Sequence, residues 1–291
     1  MTDTVSRRDS APAAPRGGGE LARLQLPLML APGLLLVFVV FNYPLLGTAL
    51  WAVNDPDGGW TLAHVRDFLA SESYARIIWR TVLISLQVTA LCILLGYPLA
   101  YWASRLPPRG RLVVLGLVVT TFWVSILVRT YAWIVILGSA GLVNRSLIGA
   151  GFIERPIQFL YNETGILIGM VNVLLPFFVL PVYAAMARID PRLGLVAASM
   201  GASQTRIFWQ VFLPLTLPAV ATSAILVFIL SLGFYITPAV LGGGRVPMIA
   251  NMMDMMINRF ANWEMAAVIS CVLLGMTVLL YALYQRLREV R

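Results

Sequence analysis

The sequence predicts an all-α membrane protein: a bundle of six transmembrane helices with one long cytoplasmic loop that carries helices of its own. Composition and patterning lead there together. The chain is 59% hydrophobic and only 12% charged, about half the charge of a typical soluble domain. The apolar residues form six runs, each near or above the roughly 20 residues that a helix needs to cross a bilayer. Ten-residue stretches of alternating polarity, the mark of a membrane barrel, do not occur, which leaves helices to satisfy their own backbone in lipid.

Residues 1–25 are rich in Ser, Pro, Ala, Gly and Arg. They bury too little to offset their ordering entropy, so this stretch is expected to be a disordered cytoplasmic tail. Residues 26–291 form the transmembrane domain. The first run is too long for the ~7–15-residue core of a signal peptide and no A-x-A site follows it, so it anchors the chain. The spans are expected at 28–53, 77–104, 112–137, 164–187, 215–241 and 264–286. Pro98 falls in the second and Pro176 and Pro181 in the fourth. Pro218 and Pro238 lie near the ends of the fifth, and each proline bends or ends its helix.

All 21 basic residues are Arg, and the formal net charge is +8. With the N-terminus inside, the cytoplasmic segments hold thirteen Arg against five acids and the opposite segments eight against eight. The net charge therefore sits on one face, as positive-inside topology requires, and nucleic-acid binding is not needed to explain it. Both termini are placed in the cytoplasm. Cys92 and Cys271 lie in apolar runs without a CxxC partner, and His64 is the sole histidine. This argues for packing and against metal or redox chemistry.

The loop at 188–216 is the most informative segment. Asp190-Pro191 is a helix start: Asp accepts from free N–H groups and Pro fits the first turn. Small residues follow at Ala197, Ala198 and Ser199, Gly201 breaks the helix, and a second amphipathic helix is expected along the membrane surface to Pro214. Small side chains let another protein's groove approach an exposed helix closely. An interfacial amphipathic helix is the plainer alternative.

The loop resembles the EAA motif of importer-type ABC permeases: Glu-Ala-Ala, three residues, Gly, nine residues, Ile-x-Leu-Pro. Ala197 matches the second alanine, followed by Ala198. Gly201 (next to Ala202), Val211, Leu213 and Pro214 match the Gly and Ile-x-Leu-Pro positions. Leu195 stands where the family has Glu and Val196 where it has the first Ala. Further segments are similar to the spermidine/putrescine-type branch, namely Leu127–Trp133, Gly141–Asn144, Leu160–Glu163 with Leu174–Phe177, Ser231–Pro238 with Leu241–Gly244, Met248-Ile249, and Asn262-Trp263.

The resemblance implies a non-catalytic permease subunit of an inner-membrane importer, with the loop as a coupling helix. ATPase contact is implied at Asp190, Ala197, Ala198, Gly201, Ala202, Val211, Leu213 and Pro214. The implied partners are a second permease subunit (a paralogue), two ATPase subunits that hold ATP and Mg, a periplasmic binding protein and membrane lipid. No cofactor or metal is expected on this chain, which has no GxxxxGK[ST].

A charge at membrane depth defaults to a functional hypothesis, and Arg129 in the third span is the foremost case. It is read as a gate or path residue, or else as a snorkelling Arg near the outer interface or the partner of an acid such as Glu163. Asn172 and Gln87 suit interhelical hydrogen bonds, with Asn172 also a path candidate. Tyr235, Thr237 and the outer Asp254 complete the tentative path. The solute implied is a polyamine, or alternatively an amino-acid-derived compound or phosphonate. An ion-coupled secondary transporter is the rival class, but it would need acids within the spans and inverted repeats, and neither is evident.

Overall fold

A computed structural model describes residues 19–54 and 59–289. The expected disordered stretch lies outside them up to residue 18, and residues 19–25 already belong to the first helix. That helix, α1 (Gly19–Val53), belongs as far as Leu50 to the first of two compact units. From Leu34 to Phe41 every residue on it is apolar and exposed, as suits a helix facing lipid or another apolar chain. A shallow cleft of about 670 Å3 along it has Asn42 as its one polar side chain. The Asn42 amide is turned back onto the Phe38 carbonyl at 2.7 Å.

The second unit starts at Trp51. In it α2 (Ala63–Ala70) leads into α3 (Glu72–Arg105), followed by α4 (Pro108–Trp123), α5 (Ile126–Leu137) and α6 (Leu142–Gly149). Then come α7 (Glu163–Met186), α8 (Arg192–Ser199) and α9 (Gln204–Ile207), which a π-helical turn (Phe208–Phe212) joins to α10 (Leu213–Leu232). Last are α11 (Ile236–Leu241), α12 (Ile249–Asn258) and α13 (Trp263–Glu289). The 34 residues of α3 reach about 51 Å at 1.5 Å per residue, well beyond a ~30 Å hydrocarbon core.

The core is α3, α7 and α10, with Ile84, Val88, Cys92, Ile166, Met170, Phe178 and Val227 buried between them. Two glycines set the approach of the helices, because without a tight driving force in lipid they pack where side chains are small. A Cβ on Gly96 would lie 2.6 Å from the Phe178 ring, and one on Gly169 would lie 2.5 Å from Thr237 and Leu241. Hydroxyls inside the helices return to the carbonyl a turn back, as Thr89 does to Ser85 and Thr130 to Ile126, which satisfies them without water. Thr81 goes further: its hydroxyl accepts from Ile249 N–H at 2.9 Å, so α3 caps the first turn of α12.

Two expected spans differ. The third, 112–137, is broken at Val124-Ser125, both extended, and so is two helices. Phe122 meets Phe177 of α7 edge-on at 5.0 Å, and Leu137 joins Leu160 and Leu241. Thus α4 and α5 both pack beside α7. The stretch long and apolar enough to cross is Ile126–Gly149, shifted toward the C-terminus of the expected 112–137, and a turn at 138–141 divides it into α5 and α6. There Asn144 is fully buried, donating to Gly138 and Ile157 carbonyls and accepting from Ile157 N–H.

The fifth span, expected at 215–241, ends at Leu232. Gly233 to Tyr235 break it, and Pro238 sits in the separate α11. The same span begins earlier than expected. From Gln204 the helix is continuous to Leu232, so the second half of the loop is the start of a span and not a surface helix. Pro214 does not stop it. Proline lacks the N–H for an i−4 bond, and the wider π turn, in which Leu213 N–H donates to Phe208, accommodates the ring without ending the helix.

Candidate functional site

At one end of the bundle, residues 190–214 build a rigid elbow. Asp190 Oδ1 accepts from Arg192 N–H at 2.9 Å and so holds the start of α8. At the other end of α8, Ala202 N–H donates to Ala197 and Gly201 N–H to Ala198. This pair of bonds is a Schellman motif, which needs a left-handed residue between them. Gly201 supplies it with φ +83°. A Cβ there would touch nothing within 4 Å, so backbone conformation and not crowding demands the glycine. Ser203 Oγ then accepts from Arg206 N–H and starts α9.

Of the loop residues singled out by the sequence, Ala198, Gly201 and Pro214 are exposed. Ala197, Ala202, Val211 and Leu213 are half-buried. Gly194 lies over Ile207, 3.8 Å from a would-be Cβ, which folds α8 back on the start of the long helix.

The elbow is clasped to α3 by residues that sequence reasoning missed. Phe208 meets Tyr101 edge-on at 5.1 Å and Tyr97 at 6.3 Å, and Phe212 meets Tyr101 at 5.2 Å. The Arg105 guanidinium lies over the Tyr101 ring at 4.5 Å. Tyr97 and Thr216 share a hydrogen bond at 3.1 Å. A signal existed: Tyr97, Tyr101 and Arg105 form an i, i+4, i+8 row, and so do Phe208, Phe212 and Thr216. Two such rows on antiparallel helices face each other.

The residues considered for a path are scattered. Arg129 is half-buried in the first turn of α5, and its Nε is buried without a partner. Glu163, its suggested partner, instead pairs with Arg80 at 3.8 Å, joining the starts of α3 and α7. Asn172 is half-buried in α7 and its side chain makes no hydrogen bond among the described residues. Gln87 likewise has a buried, unpartnered Oε1 in place of the expected interhelical bond.

Tyr235 and Asp254 do come together. Tyr235 lies in the α10–α11 break, its carbonyl accepts from Asn251 of α12, and Asp254 is one turn further along α12. Burial and then the Asp254 carboxylate raise the Tyr235 phenol above its ordinary value. Asp254 itself accepts from Asn258 at 2.6 Å. Thr237 does not line an open surface as expected. It is fully buried against Gly169, its hydroxyl without a partner.

Comparison with known proteins adds to this geometry. Residues 92–289 match the family described as the binding-protein-dependent transport system inner membrane component. The spermidine/putrescine transport system permease protein PotB of Haemophilus influenzae is 35% identical over 75% of this chain and 76% of its own length. PotB of Escherichia coli is 28% identical over 86% of this chain and 93% of its own. The putative 2-aminoethylphosphonate transport system permease protein PhnU of Salmonella typhi is 28% identical over 85% and 84%. Among solved structures, a bacterial ABC transporter involved in the import of the acidic polysaccharide alginate shares the fold. Its TM-score is 0.68, with 19% identity over 91% of this chain and 96% of that one.

Proposed function

Because this chain belongs to the family of binding-protein-dependent transport system inner membrane components, and is a permease subunit of an ABC importer, we propose that it moves a polyamine inward and takes its power stroke through the 190–214 elbow. The observation that carries the coupling role is continuity. The exposed α8 is fixed by the Gly201 turn to a helix that runs unbroken from Gln204 to Leu232, and the aromatic rows fasten that helix to α3. A push on α8 is therefore delivered to the core helices. ATP and Mg belong on two separate ATPase subunits, which contact Asp190, Ala197, Ala198, Gly201, Ala202, Val211, Leu213 and Pro214.

The remaining partners are a second permease subunit, a paralogue, and a periplasmic binding protein that delivers the solute. The protein sits in the bacterial inner membrane with both termini and the elbow in the cytoplasm, a placement supported by the Arg asymmetry. For the solute, the support is the PotB relatives together with Tyr235 and Asp254, an aromatic face and a carboxylate that both suit an amine cation. A second reading, an aminoalkyl phosphonate, is favoured by Arg129, whose Nε is buried without a partner and suits an anionic oxygen.

The test is uptake into proteoliposomes holding the full assembly, with binding protein outside and ATP inside, offered putrescine, spermidine or 2-aminoethylphosphonate. ATP-dependent uptake of a polyamine is expected. Uptake of the phosphonate alone selects the second reading. Uptake by this chain alone under an ion gradient without ATP refutes the importer mechanism.

A further inference from the structure

The turn between α3 and α4 gathers three arginines. Arg105 ends α3, Arg109 and Arg111 lie in the first turn of α4, and only Leu106 and Pro107 separate the two helices. No Asp or Glu occurs between Glu72 and Glu154. The ion pairs among the described residues belong to Arg66, Arg76 and Arg80. Asp190, the one acid of the elbow, has an oxygen engaged at the Arg192 N–H. Among the described residues, the turn is thus a concentration of cations without a counter-ion.

Its geometry is held from both sides. The Arg105 guanidinium lies over the Tyr101 ring at 4.5 Å. Arg111 reaches back across the turn to the Leu106 carbonyl at 3.4 Å, and its Nε is buried without a partner. That single bond leaves most N–H groups of the fork free for an oxygen acceptor, and a buried donor left unpaired is unfavourable. Arg109 is exposed beside them. Helix α4 also starts without a side-chain cap, which adds the partial positive charge of its first free N–H groups.

Two tryptophans give the depth. Trp102 lies one turn before Arg105 on α3, and Trp209 follows Phe208, the ring that packs on Tyr101; both indoles are exposed. Exposed Trp marks the membrane–water interface, and Arg105 is about 4.5 Å further along the helix axis at 1.5 Å per residue. Beyond Arg111, α4 is apolar at once, with Leu112, Val113 and Leu117 exposed. Cations at the interface, with a bare apolar flank running from them, match an amphiphile with an anionic head. A free anion would leave the flank unused.

We propose that the α3–α4 turn binds the phosphate of an anionic phospholipid, held by Arg105, Arg109 and Arg111, with the acyl chains on the flank of α4. Arg suits this role because its planar fork meets two phosphate oxygens at once. The site depends on neither the solute nor the ATPase contact, so it stands or falls apart from the reading above. It adjoins Tyr101, the ring that receives Phe208 and Phe212, so the bound lipid steadies α3 where the elbow is clasped to it.

The experiment is native mass spectrometry of the complete transporter, released from detergent micelles that hold equal amounts of phosphatidylglycerol and phosphatidylcholine. The wild type is expected to retain phosphatidylglycerol at least about fivefold over phosphatidylcholine. Arg109→Gln and Arg111→Gln should each lower that ratio about threefold, and the triple variant with Arg105→Gln should bring it near unity. Arg192→Gln removes the same charge from α8, at the same end of the bundle, and should leave the ratio within about 1.5-fold.

No preference in the wild type overturns the site. So does an Arg192→Gln effect as large as that of Arg111→Gln, which would leave only the diffuse positive field of that end. Displacement of the retained lipid by millimolar inorganic phosphate would assign the turn to a free anion and overturn the lipid. Unchanged retention in Arg109→Gln and Arg111→Gln, with loss of the ATPase subunits, would make it a protein contact instead. Arg109 is exposed and its side chain makes no bond among the described residues, so Arg109→Gln reports on the site even if the triple variant fails gel filtration.

Discussion

Truncating Phe208 to Ala tests whether the clasp transmits motion. Phe208 makes the two aromatic contacts to α3 nearest the elbow, to Tyr101 at 5.1 Å and to Tyr97 at 6.3 Å. Such pairs contribute about 0.5–1.5 kcal/mol each beyond the area they bury. Losing both removes about 2 kcal/mol, on the order of a 30-fold loosening of the link between elbow and α3. The Tyr101–Phe212 pair and the Tyr97–Thr216 hydrogen bond remain, so the helix should stay in place while the connection slackens.

The assay is solute uptake per ATP hydrolysed, in proteoliposomes with the complete transporter. ATP hydrolysis should stay within about twofold of wild type, because the face of α8 is untouched. Uptake per ATP should fall at least fivefold, and Phe208→Tyr, which keeps the ring, should restore it. Unchanged uptake per ATP in a correctly assembled Phe208→Ala transporter would refute transmission through α3.

Three further substitutions test the packing and the buried 138–157 turn. Gly169→Ala places a methyl 2.5 Å from Thr237 and Leu241, overpacking that costs roughly 1–3 kcal/mol. Its Tm in detergent should drop by several degrees, whereas Gly116→Ala, where a Cβ meets nothing within 4 Å, should leave Tm level or raise it. Asn144→Ala strands the Ile157 N–H and two carbonyls inside the 138–157 turn, at about 1–3 kcal/mol for each buried group left unpaired. Hydrogen exchange at the Ile157 amide should speed up on the order of 30-fold or more, and wild-type protection in that variant would show that the turn is held by other contacts.

Much of the architecture was legible along the chain because lipid imposes a rule that one-dimensional patterning reveals. A span needs a long apolar run, so four of the six crossings fall close to where the hydropathy puts them and the other two overlap their expected positions. The elbow was legible for a different reason, since caps and turns are local. Asp190 and Gly201 do locally what their residue types suggest, one accepting from a free N–H and the other adopting a positive φ. The break at Val124-Ser125 left no such mark, because both residues sit within an apolar run that reads as one helix. The π turn was hidden too: Pro214 suggested an end, and a shift of hydrogen-bond register absorbs it.

The sequence alone therefore determined that the chain spans a membrane with helices, and that its longest loop is a helix, a glycine turn and a second helix. Both follow from local chemistry, the cost of unpaired backbone in lipid and the conformational freedom of glycine. Only the tertiary structure decided that the second loop helix is the beginning of a span, that Phe208 and Tyr101 fasten it to α3, that Glu163 pairs with Arg80 and that Thr237 is buried. Those outcomes depend on which helix faces come together, and residues such as Tyr101 and Phe208, more than a hundred positions apart, meet only once the bundle has closed.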